Sequence, residues 1–126
     1  MLGPEKGRVS RCWLLVPLLL SLVGCAGRFG RAVHSYEESR FPDAMATFRS
    51  METEEKDWSE DEQTRYALYR GLTHLAVGDA RAASHWLGLA KRATERKPKL
   101  LSVSDQERLA VAWRALGYMP GENSRY

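Results

Sequence analysis

From residue 28 onward apolar positions recur at spacings of three and four, and no long stretch alternates with the period of two that a half-buried strand requires. β-branched residues are sparse there, and Ala, Leu, Arg and Glu dominate. The pattern predicts an all-α domain of about five helices in antiparallel hairpins, punctuated at Pro42, Gly78, Pro98, Gly117 and Pro120. A first helix is expected from about Arg28 to Ser39. Pro42 suits the first turn of a second, where its missing N–H costs no hydrogen bond, with Ala44, Met45, Phe48 and Met51 on one face. Ser59-Glu60-Asp61-Glu62 forms a capping box that opens a third helix, whose apolar stripe is Leu68, Gly71, Leu72 and Leu75. Gly78-Asp79 turns the chain, Asp79 caps a fourth helix carrying Ala83, Trp86, Leu87 and Ala90, and that helix ends near Pro98. A second box, Ser104-Asp105-Gln106-Glu107, predicts the start of a fifth, with Leu109, Ala112, Trp113 and Leu116 along its stripe. Gly117 is expected in the left-handed cap position, and Pro120 to stop continuation.

The helices repeat. A shift of 39 residues brings Ala32, Gly71 and Ala110 into line, as it does Ser39, Gly78 and Gly117, and Phe41, Ala80 and Met119. Ala44 likewise matches Ala83, Phe48 matches Leu87, and Met51 matches Ala90. The unit is two helices, present twice, followed by a single last helix.

The 15 residues from Cys12 to Ala26 form a different kind of segment. An apolar run, Trp13 to Leu20, follows Lys6, Arg8 and Arg11, the layout of a secretory leader. It is shorter than the roughly 20 residues a spanning helix needs, and Pro17 interrupts it. Removing residues 1–24 takes the 19 basic and 16 acidic residues to 16 and 15, so the high overall pI belongs to the leader and argues for no nucleic-acid partner. Cys25 would then be the only cysteine of the mature chain, which excludes an intramolecular disulfide and leaves packing to hold the domain. The remaining 102 positions suffice for one domain.

The residues Leu22-Val23-Gly24-Cys25 resemble the lipobox of bacterial lipoproteins at all four positions. That resemblance implies cleavage between Gly24 and Cys25, a diacylglycerol on the Cys25 sulfur, and further acylation as in palmitate-bearing lipoproteins. With Ala26 rather than Asp after the cysteine, it also implies the periplasmic face of the outer membrane. Gly24 and Ala26 also satisfy the small-x-small pattern of an ordinary cleaved leader. The expected organisation is a signal peptide over 1–24, a lipid-anchored linker over 25–29, a helical domain over 30–118 and a flexible tail over 119–126.

The segment Arg70 to Ala83 resembles a tetratricopeptide repeat through Gly71, Gly78, Asp79, Ala83, Leu87 and Ala90, with His74 where that family usually has an aromatic. The family unit is about 34 residues, so the extra residues of the 39-residue period fall in 52–62 and 91–104. About two and a half units are present, where about three are usually needed for stability. A capping last helix, closed by Tyr118 and Met119, or a partner would supply the missing neighbour. A generic five-helix bundle is the alternative. The resemblance implies a concave surface lined by the first helix of each unit, here Arg65, Leu68, Leu72, Leu75 and Ala76. If these residues do not pack on the first helix, they form a groove for a helix or extended peptide.

The remaining features carry little chemistry. His34, His74 and His85 lie on separate helices with no cysteine beside them, the serines have no glycine elbow, and no phosphate-binding glycine loop is present, so neither an enzyme nor a metal or cofactor site is expected. The acidic stretch 52–62 and the basic residues Lys91, Arg92, Arg96, Lys97 and Lys99 fit the charge preferences of helix ends. They equally describe a polarised surface whose basic end contacts lipid phosphates, cell wall or an acidic protein. Trp58, amid the acids, is either an exposed contact or a groove filler. The expected role is a membrane-tethered protein-binding adaptor or assembly scaffold of the bacterial cell envelope, with a structural lipoprotein using the basic segment as the alternative.

Overall fold

A computed structural model describes residues 27–117. The lipobox with Cys25, the leader, Tyr118, Met119 and the tail lie outside the described residues. Within them the chain is all-helical: α1 over residues 27–37, α2 Phe41–Ser50, α3 Glu60–Ala76, α4 Ala80–Arg96 and α5 Val103–Leu116. Short 3-10 turns at Glu55–Asp57 and Pro98–Leu100 absorb the extra residues between units.

The connections α1–α2 and α3–α4 are built alike. Ser39 and Gly78 both take positive φ, 61° and 83°. Ser39 N–H bonds Tyr36 O (2.9 Å) and Gly78 N–H bonds Leu75 O (3.1 Å). Arg40 N–H reaches back to Ser35 O (2.8 Å) as Asp79 N–H does to His74 O (2.9 Å). Every donor and acceptor in one turn is 39 residues from its counterpart in the other, so the sequence period is a period of backbone geometry. Gly117 breaks the series. Its φ of −64° is right-handed, and the left-handed cap expected there does not form.

Local chemistry sets the other boundaries. The capping box at Ser59 is present, its return bond running from Ser59 N–H to Glu62 Oε2 at 3.1 Å. Asp79 caps α4 by accepting from Ala82 N–H at 3.1 Å. The fifth helix starts earlier than its predicted box, because Ser102, and not Ser104, accepts from the N–H of Asp105 (3.2 Å). α1 is already helical at residue 27, inside the stretch read as linker. Phe29 explains this, meeting Phe48, Trp58 and Tyr69 edge-to-face at 6.1, 6.4 and 6.3 Å.

α3 is the middle of the stack, packed against α2, α4 and α5, and is buried nearly all round. Tyr66, Phe48, Met51, Leu68 and Leu87 are its fully buried neighbours and members. A Cβ at Gly71 would lie 2.7 Å from Leu87 Cγ and 3.0 Å from Leu87 N, so only glycine lets α3 and α4 approach this closely. Tyr66 buries its ring while its hydroxyl donates to Phe48 O at 2.8 Å, which satisfies the one polar atom it brings into the core.

A candidate protein-binding groove

The first helices of the three units lie side by side, and a shallow groove of about 450 Å³ opens along them. Leu72 and Leu75 of α3 sit between Tyr36 of α1 and Val111, Ala112 and Ala115 of α5. Ser104, Glu107 and Arg108 add polar groups along the α5 side.

A polar network fixes the walls. Tyr69 donates to Asp105 Oδ1 at 2.8 Å and accepts from Arg108 Nη1 at 3.0 Å. Arg65 Nε lies 3.4 Å from Asp105 Oδ2, and Arg108 reaches Glu37 of α1 at 3.7 Å. The buried Asp105 carboxylate thereby joins α5 to α3, and Arg108 carries the network on to α1. Burial pushes the Tyr69 phenol above its ordinary pKa, and its bond to Asp105 pushes it further. Tyr36, half-buried at the groove, is raised by burial against the opposing pull of Arg108. Both phenols stay neutral at ordinary pH, so the groove presents apolar faces, hydroxyls and one pair of opposite charges.

The expected surface residues divide. Leu72 and Leu75 line the groove, whereas Leu68 is fully buried and offers a partner nothing. It turns toward the core one helical turn before Leu72. Arg65 is exposed but occupied, stacked over Phe29 and Tyr69 at 5.3 and 5.6 Å in addition to its bond to Asp105. Trp58 is the groove filler of its two readings, packed edge-to-face on Tyr66 at 5.6 Å as well as on Phe29. The groove residues that the expected surface omitted were reachable by the period. Thirty-nine residues from Leu72, Leu75 and Ala76 stand Val111, Tyr36 and Ala115.

The basic segment is largely answered by the chain's own acids. Lys97 bonds Glu60 at 2.7 Å, Arg96 lies 3.6 Å from the same carboxylate, and Lys91 bonds Glu95. The Lys97 bond holds the Glu60 carboxyl below its ordinary pKa. Arg92 and Lys99 make no ion pair among the described residues. Within that same range no cluster of three or more His, Cys, Asp or Glu is arranged to hold a metal ion, and no helix is long and apolar enough to cross a membrane. No family model matches the chain, nor does any curated protein or solved structure.

Proposed function

We propose that this chain is a lipid-tethered adaptor of the bacterial envelope, acylated on Cys25, that holds a short amphipathic helix or extended segment of another envelope protein. The observation that carries the reading is the groove, where Tyr36, Leu75 and Val111 leave apolar surface open over a floor at the buried Leu72, along three helices that are otherwise well packed. An apolar floor with a few placed polar groups suits peptide recognition. The close approach at Gly71 and the turn at Gly78 support a tetratricopeptide-like reading, and on that reading the groove lies on the side used for binding. A lipobox supplies the tether. Each buried CH2 of an acyl chain is worth about 0.8 kcal/mol, so two or three chains hold the domain at a membrane without help from its surface.

The test is in-cell crosslinking of three full-length forms followed by fractionation. The wild type should be membrane-bound and crosslink to an envelope protein. Cys25→Ser should move to the soluble fraction, and Leu75→Glu should stay on the membrane but lose the crosslink. A serine form that stayed on the membrane would sink the tether, and a glutamate form that kept its partner would sink the groove.

A further inference from the structure

The 39-residue period makes α5 the counterpart of α3 and shows which of its surfaces is unfinished. Thr64, Leu72 and His74 on α3 are 4, 6 and 5% exposed, while their counterparts Val103, Val111 and Trp113 on α5 are 73, 58 and 36% exposed. Gly71 is closed against Leu87, but its counterpart Ala110 is open. Lys91 of α4 lies 5.5 Å from the Trp113 ring centroid at one edge and Val111 borders the groove at the other, and between them the face is exposed among the described residues.

Its own pattern suggests what covers it. Asp105, Leu109, Ala112 and Leu116 take α5 into the core. Opposite them runs a stripe of Val103, Glu107, Ala110 and Arg114 at spacings of four, three and four, which places all four on one face of the helix. Ala110 at its centre is small enough for close approach. Glu107 and Arg114 flank it with opposite charge, both exposed and neither ion-paired among the described residues. A two-fold axis beside Ala110 would lay α5 antiparallel on its copy, bringing each Glu107 to the Arg114 of the other chain.

We propose that α5 is an isologous interface and that the chain pairs with a second copy of itself through Val103, Glu107, Ala110 and Arg114. Charge complementarity under the two-fold favours this occupant, since a stripe with one acid and one base placed symmetrically about a small residue is its own complement. Head-to-tail stacking fits less well. Among the described residues the α1–α2 edge presents none of the exposed large apolar side chains, which there lie between Val77 and Trp113. Glu107 also borders the groove, so mass and not peptide capture reads the inference out.

The test uses the full-length chain in density-matched detergent, by sedimentation equilibrium. The wild type should have twice the mass of one chain. Glu107→Arg or Arg114→Glu alone should weaken the dimer about tenfold or more, and the double swap should restore it. Ala110→Cys should give a disulfide-linked dimer above the wild-type background, while Arg31→Cys on α1 should not. A monomer at all concentrations up to about 0.1 mM, a dimer indifferent to the swaps, or an Ala110→Cys product containing only a different protein would each overturn the proposal.

Discussion

His74 is a buried imidazole with an incomplete set of partners. Its Nδ1 lies 3.7 Å from Asp79 Oδ2, and its Nε2 has no hydrogen-bond partner within the described residues. Burial is the main cause that pushes its pKa below the ordinary 6.5; Arg70 and Arg49 add to the shift and Asp79 opposes it. The unfolded chain therefore takes up a proton at a pH where the folded chain does not. The stability that neutral His74 contributes is complete above about pH 6.5 and falls as the pH drops through that value toward the folded pKa. Thermal unfolding should show a melting temperature that declines between about pH 7.5 and about pH 5.5, and His74→Phe should flatten the decline. A decline of equal slope in the variant would assign it to the carboxylates. The family resemblance marked this position as one where an aromatic is usual, but the burial of its ring and the orphaned Nε2 depend on α2, α4 and Asp79 meeting around it. The same limit explains Leu68 and Leu75, equal in the sequence stripe. A seven-residue separation leaves them near one face of α3, and only the placement of the neighbouring helices decides which stays open.

At the scale of the element, the boundaries at Ser59 and Asp79 were legible in the sequence and the start of α5 was misplaced. Ser59 and Asp79 open α3 and α4 as their spacing predicts. In α5 the predicted box at Ser104 does not form the cap, because Leu101 is buried and pins the chain so that the hydroxyl of Ser102 reaches the N–H of Asp105. Ser104 then falls inside the first turn. Ser102→Ala should cost about 1 kcal/mol and Ser104→Ala a few tenths, read as a shift in urea midpoint at constant slope. The reverse order would restore the helix start to the later box. The turns teach the complementary lesson. Ser39 and Gly78 share a left-handed backbone where each chain reverses onto the next helix, whereas Gly117 keeps a right-handed φ. A glycine permits that conformation and does not impose it.

The whole molecule is a short stack whose stability is approximately a sum over neighbouring interfaces. α3 is enclosed by α1, α2, α4 and α5, whereas α5, the last described helix, rests on α3 and α4 with one ion pair from Arg108 to Glu37 of α1, and is expected to open more readily than α3. Its principal polar attachment to the rest is the network through Asp105. Tyr69→Phe removes the hydroxyl that donates to Asp105 and accepts from Arg108, at a cost of about 1–1.5 kcal/mol. Because the ring and its packing survive, the loss should fall on the α3–α5 contact. Hydrogen exchange should then show the amides of α5 exchanging about tenfold faster while those in the middle of α3 barely change, the difference being read helix by helix. α5 also carries Val111 and Ala115, one wall of the groove, so the same variant should capture the groove's partner less well although no groove residue has been altered. Uniform acceleration over all five helices would mean that the stack opens only as a unit, with Asp105 securing the domain and not the wall. Faster exchange in α5 with capture unimpaired would place the bound segment on Leu72, Leu75 and Tyr36 alone.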